Sequence, residues 1–107
     1  YQRISQRARA DGRILTGGSP VDDTELPDGR YVEPTIVTEI PHEHALAREE
    51  HFVPFVTIHP VSGLSEALEK SNDTDYGLCA GFFSEDDSEI DWWFDEIESG
   101  MCYVNRS

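Results

Sequence analysis

Residues 55–104 switch back and forth between two apolar periodicities, and no other feature restricts the fold as strongly. Phe55-Val56-Thr57-Ile58-His59-Pro60-Val61 has the β-branched and aromatic content of a strand. Leu64, Ala67 and Leu68 then recur at helical spacing between Ser62 and Asn72. Gly77 to Phe83 is a second strand-like run. After it, Ser84-Glu85-Asp86-Asp87 has the form of a capping box, and Ile90, Trp93, Phe94 and Ile97 place one apolar face on a helix that Gly100 should end. Met101 to Val104 is the last strand. Crossovers between parallel strands are right-handed almost without exception. The predicted class is therefore α/β: a β-α-β-α-β parallel sheet, its three strands side by side, with flanking helices.

The first half is less regular. Tyr1, Ile4 and Ala8 share one helical face and Gly12 follows as a stop signal; Ile14-Leu15 begins a short strand. Gly17-Gly18-Ser19-Pro20 breaks the chain, and Val21 to Arg30, acidic and without period, reads as a solvated loop. From Arg30 to Ile40 the residues Val32, Thr35, Ile36, Val37 and Thr38 argue for a strand, with Pro34 suited to an edge or an irregularity.

A chain of 107 residues suffices for one modest domain, so residues 1–107 are expected to form a single unit. It begins at Tyr1 and stops just after an apolar run, as expected of a piece of a longer polypeptide. Acidic residues number 22 against 8 basic ones, a net charge of −14. Such a field repels phosphate backbones and anionic lipid surfaces, which disfavours nucleic-acid and membrane partners. The acids are spread over the whole sequence and Lys70 is the one lysine, a pattern that fits a salt-adapted surface. Self-repulsion destabilises such a protein in dilute buffer, whereas molar salt shrinks the Debye length to about 3 Å and removes most of that penalty. An ordinary acidic domain is the plainer alternative.

Cys79 and Cys102 each fall in a short apolar run, where a free cysteine behaves as a small hydrophobe. Two cysteines without Cys-x-x-Cys spacing make neither a disulfide scaffold nor a redox motif, and a reduced, cytoplasmic setting is expected. No apolar run approaches the roughly 20 residues needed to cross a bilayer.

Three candidate sites can be weighed from the residues alone. A nucleotide-binding half-domain needs small residues and free N–H groups at a helix start, yet the turn after Phe83 carries Glu85, Asp86 and Asp87, and no Gly-x-Gly-x-x-Gly occurs. His42-Glu43-His44, with His51 nearby, has donors suited to zinc. It follows Pro41 in a loop-like stretch with no fixed geometry, so no metal is expected. Glu49 and Glu50 are adjacent; on an extended segment they point to opposite sides and would not share a substrate as a paired acid and base.

Ala47-Arg48-Glu49-Glu50-His51-Phe52-Val53-Pro54-Phe55 resembles the Glu-Glu-x-Phe-Gly-Pro-Val segment of the aldehyde dehydrogenase superfamily. Tyr31-Val32-Glu33-Pro34-Thr35-Ile36-Val37 is similar to the family's Gly-Tyr-Phe-x-x-Pro-Thr-Val strand. Asn72-Asp73-Thr74-Asp75-Tyr76-Gly77-Leu78 matches its Asn-x-x-x-Tyr-Gly-Leu, and Gly100-Met101-Cys102-Tyr103-Val104-Asn105 its Gly-x-x-x-Val-Asn. The four matches run in order over nearly the whole chain. They resemble the late part of the catalytic domain, and Tyr31 to Pro41 and Tyr103 to Arg106 are most similar to pyrroline-5-carboxylate dehydrogenases, which oxidise glutamate semialdehyde to glutamate in proline breakdown.

The resemblance implies an oxidoreductase that uses NAD or NADP on a small-molecule aldehyde, and a full-length enzyme that assembles as a homo-oligomer. It implies cofactor-binding roles for Glu50 and Phe52. A carboxylate can accept both vicinal hydroxyls of a ribose, and Phe52, one pleat along, would face the same ligand. Two positions depart from the pattern: Val53 stands where glycine is usual, and His51 where an apolar residue is usual. The family's cysteine nucleophile and glutamate base lie much further upstream of the motif than the 49 residues that precede Glu50 here. No catalytic residue is therefore expected in this chain, Cys102 and Cys79 are read as packing, and the piece alone should be inactive. The competing reading is a non-catalytic binding or scaffold domain of the same fold.

Overall fold

The structure is a computed structural model and describes residues 1–21, 26 and 29–106. Most of the expected loop from Val21 to Arg30 lies outside the described residues. Two compact units are present, Tyr1–Pro60 and Val61–Ser107.

The first unit opens with helix α1 (Gln2–Asp11), which buries Ser5 and Ala8 and stops at Gly12 as expected. Strands β1 (Arg13–Thr16), β2 (Thr35–Thr38) and β3 (Phe55–Ile58) form one sheet in that order. β1 and β2 are antiparallel, β2 and β3 parallel. The β1–β2 register slips between Ile14 and Thr16, so Leu15 is an extra residue left half-exposed, a local bulge. Pro34 ends up just outside β2, where its missing N–H breaks no ladder bond. The chain turns between β1 and the Pro20–Val32 bridge through Gly17 and Gly18, both at positive φ. A side chain on Gly17 would meet the Pro34 carbonyl oxygen at 2.1 Å, so close approach and backbone sign both demand glycine there.

One short element was not legible in the sequence. Helix α2 (Ala45–Arg48) lies in the stretch expected to be loop, and its Leu46 joins Ala8, Val37 and Ile40 in the buried core of this unit. Ile4, Ile14, Ala47 and Phe55 pack around that cluster.

The second unit contains α3 (Leu64–Asn72), β4 (Cys79–Phe82), α4 (Asp87–Glu96) and β5 (Met101–Val104). β4 and β5 pair in parallel, with α4 as their crossover. The α/β class and, apart from α2, the element order agree with the sequence reading. One pairing is corrected: the strand at Phe55–Ile58 is not laddered beside Cys79–Phe82 but takes Thr35–Thr38 as its parallel partner, in a separate sheet. Strand order follows partner edges that periodicity does not encode.

Helix α4 also starts and ends differently from the expectation. Its cap is Asp86, not Ser84: the Asp86 carboxylate accepts from the Ser88 and Glu89 amides at 2.8 and 3.2 Å. A hydrogen bond from the Ser88 hydroxyl, then those from the Glu89 and Ser88 amides, hold the Asp86 carboxyl below its ordinary range. The helix stops at Glu96, before Gly100, because Asn72 intervenes. Its side-chain amide donates to the Glu96 carbonyl at 2.8 Å and accepts from the Glu98 amide at 3.0 Å, which draws the chain out of the helix. Asn105 brackets the far end of the sheet in the same way, accepting from the Ser84 amide at 3.1 Å and donating to its carbonyl at 2.8 Å. Two motif asparagines are thus accounted for as backbone surrogates. Within this chain Cys79 is exposed and Cys102 half-buried. Among the described residues no helix is long and apolar enough to cross a membrane.

Candidate functional site

The segment that carries Glu50 and Phe52 begins at α2. Ala45-Leu46-Ala47-Arg48 are good helix formers, and His44 caps them, its Nδ1 accepting the Leu46 amide at 3.1 Å. The helix closes at Glu49, whose backbone is already extended (φ −98°, ψ 144°). The chain then runs through Glu50 and His51 to Phe52, where φ is +48°. Pro54 turns it into β3: its carbonyl accepts from the Thr35 amide at 2.9 Å, fixing the end of the segment to β2.

That geometry corrects the expectation for Phe52. A residue at positive φ is not part of a pleat, so the alternation that would place Phe52 on the same side as Glu50 does not apply. A left-handed conformation in a bulky residue is strained by about 1–2 kcal/mol, and Phe52 is 89% exposed in this chain. The positive φ falls on Phe52 itself, one residue before Val53; Val53 precedes a proline and stays out of the left-handed region. The absence of the usual glycine at position 53 thus creates no left-handed valine.

The structure nevertheless brings Glu50 and Phe52 to one concavity. A cavity of about 410 Å³ is lined by Glu49, Glu50, His51, Phe52, Val53 and the start of β3. Its size is that of a small-ligand site, roughly 300–1,000 Å³. The lining has a chemical preference: exposed carboxylates, which accept hydrogen bonds, beside an exposed ring favour a flat, cationic or hydroxyl-rich ligand and repel a phosphate. On the other side of the same loop, Glu49, Glu50 and His51 face Arg3 and Arg7 of α1 across a second cavity of about 440 Å³. A larger one, about 550 Å³, lies around Tyr1, Arg30 and Tyr31 and includes none of the site residues.

The histidines singled out as possible metal donors are engaged elsewhere. His44 uses Nδ1 for the helix cap and Nε2 for Asp11 Oδ2 at 3.2 Å. The His42 ring packs edge-on against His59, with centroids 5.8 Å apart. His51 Nε2 lies 3.3 Å from the Leu46 carbonyl oxygen. Sequence reasoning missed both the cap and the His51 contact. Histidine is not among the preferred caps, and the only written hint was a Pro41-to-His44 turn ahead of an Ala-Leu-Ala run.

Comparison with known proteins bears on this geometry. The sequence profile described as the aldehyde dehydrogenase family matches residues 1–107. An α-ketoglutarate semialdehyde dehydrogenase of Haloferax volcanii is 38% identical over 99 residues, which cover 92% of this chain and 20% of that protein. Among solved structures, a 1-pyrroline-5-carboxylate dehydrogenase from Thermus with bound NAD superposes with a TM-score of 0.90 at 31% identity, over 99% of this chain and 20% of the other. A betaine aldehyde dehydrogenase from Staphylococcus aureus gives 0.86 at 28% identity, over 96% of this chain and 21% of the other. The chain spans about a fifth of the length of the proteins it matches.

Proposed function

Since the chain belongs to the aldehyde dehydrogenase family, we propose that the complete gene product oxidises an aldehyde to a carboxylate with NAD or NADP, and that Glu50 and Phe52 position the nicotinamide end of the cofactor. The observation that carries this reading is the shared concavity: one loop presents an exposed carboxylate and an exposed ring to the same 410 Å³ space. When bound, the dinucleotide supplies the hydride acceptor. The Glu50 carboxylate accepts the two vicinal ribose hydroxyls, fixing the sugar without entering the chemistry. Phe52 offers an apolar face to the nicotinamide ring. The negative field of Glu49 and Glu50 complements the positive charge of the oxidised ring and keeps the pyrophosphate at a distance. The nucleophile and general base are supplied by other parts of the polypeptide, in a cytoplasmic, homo-oligomeric enzyme.

Glutamate semialdehyde is the proposed substrate. The motif matches at Tyr31–Pro41 and Tyr103–Arg106 support it, as does the likeness to the Thermus enzyme. The Haloferax relative is named for α-ketoglutarate semialdehyde, which differs at the α-carbon by a keto in place of an amino group. Steady-state assays of the complete gene product on both compounds, with NAD and then NADP, decide between them. Glu50→Ala should raise the KM for the cofactor about tenfold or more, the order of one hydrogen bond to a charged group. Aldehyde turnover by residues 1–107 alone would contradict the placement of the catalytic groups outside this chain.

A further inference from the structure

Two histidines hold one residue from opposite ends. The Leu46 amide donates to His44 Nδ1 at 3.1 Å, and the Leu46 carbonyl oxygen lies 3.3 Å from His51 Nε2. An amide can only donate, so His44 Nδ1 bears a lone pair and its proton sits on Nε2, which donates to Asp11 Oδ2 at 3.2 Å. A carbonyl can only accept, so His51 Nε2 carries a proton as well. Asp11, the last residue of α1, is held in turn by Arg7 Nε at 3.3 Å. The His51 ring packs edge-on against Phe55, the first residue of β3, with centroids 5.8 Å apart. Leu46 itself is 5% exposed, locked in the core with Ala8, Val37 and Ile40.

From these contacts we infer that His44 and His51 are positioning residues for Glu50 and Phe52, an inference that rests on the function proposed above. The loop leaves a buried residue, carries Glu50, and returns to the same residue through His51 immediately before Phe52. A free loop would not hold a bulky residue at positive φ, because that conformation is disfavoured unless its surroundings fix it. The clasp supplies that restraint: His44 fixes the helix start, His51 fixes the turn, and both bonds converge on a residue that cannot move without opening the core. The residue types are specific to the task. An apolar side chain at position 51 has no donor for the carbonyl, and one at position 44 has no acceptor for the amide.

The test uses the complete gene product and compares His44→Ala, His44→Asn, His51→Leu and His51→Gln. Asparagine is a strong helix cap and glutamine keeps a side-chain donor. We expect His44→Ala and His51→Leu each to raise the KM for NAD about five- to tenfold while kcat changes less than about twofold, as loss of binding alone requires. His44→Asn and His51→Gln should recover most of the loss. Hydrogen exchange without cofactor should show faster uptake in residues 45–55 for the first pair and near-native uptake for the second. If the wild-type enzyme is active but the KM for NAD is unmoved in His44→Ala and His51→Leu, the clasp is refuted while the proposed function stands. If the wild type shows no NAD-linked aldehyde oxidation, the function itself has failed and the positioning role with it. Should His44→Ala not fold, the two His51 variants make the same comparison.

Discussion

The two units use the same vocabulary of short strands and amphipathic helices but close their cores to different degrees. In residues 1–60, α1, the sheet and α2 converge on Ala8, Val37, Ile40 and Leu46, a shared cluster drawn from both layers. In residues 61–107 the buried apolar side chains are Leu68 and Trp93, while Leu78 is 76% and Phe83 68% exposed. Both units carry directional contacts; in the second they are the Asn72 and Asn105 brackets and the Asp86 cap, beside Trp93 stacked on Phe82 with ring centroids 5.2 Å apart. The candidate site sits on the unit with the shared core, where the two histidine hydrogen bonds of the loop end on Leu46, a residue of that core.

The sharpest way to break this contrast is at the largest buried ring. Trp93→Ala should destabilise the second unit by about 3–5 kcal/mol, the usual range for a core aromatic, and hydrogen exchange in β4 and α4 should rise together. Leu46→Ala should remove about 2–5 kcal/mol from the first unit. Because Leu46 belongs to a cluster shared by α1 and β2, faster exchange in α2 alone, with α1 and β2 unchanged, would contradict the shared-core description.

Smaller effects should follow from charge. Hydrogen bonds from Lys70, then from the Ser62 hydroxyl and amide, lower the Glu66 carboxyl from 4.5 to about 2. A carboxylate depressed in the folded state contributes stability above its unfolded value and loses it as pH falls through the folded one. The start of α3 should therefore loosen between pH 4.5 and 2, and Glu66→Gln should abolish that dependence; chemical-shift titration reads both. The group is exposed, so the effect is modest and salt-screened. Removing the Asp86 carboxylate in Asp86→Ala should unprotect the Ser88 and Glu89 amides and leave the rest of α4 in place. Last, with a net charge of −14, molar salt should raise the melting temperature by screening self-repulsion. An unchanged or lower value in salt would remove the salt-adaptation reading.

Much of this arrangement is legible in the sequence. The helical stripe of Tyr1, Ile4 and Ala8, the stop at Gly12 and the strand at Met101–Val104 follow from local periodicity, and the structure has each where it was expected. The misses have physical causes. Helix α2 is a single turn whose formation depends on burying Leu46, so no periodic window reveals it. The end of α4 is set by Asn72, 24 residues away from Glu96, and no local stop signal marks it. An extended segment with strand alternation is the reading of residues 49–52; the positive φ of Phe52 breaks it, in a loop whose ends contact α2 and β2.

The sequence by itself determined the α/β class, the order of the elements other than α2, the acidic balance and, through four motifs in order, the family. These are properties of composition and short-range pattern, which chemistry writes along the chain. Tertiary structure alone decided that Phe55–Ile58 pairs with Thr35–Thr38, that His44 and His51 meet at one leucine, and that Phe52 stands out from the loop. Each of those depends on which groups are left to satisfy a backbone donor or acceptor once distant segments have packed, and that remainder is fixed only when the chain has folded.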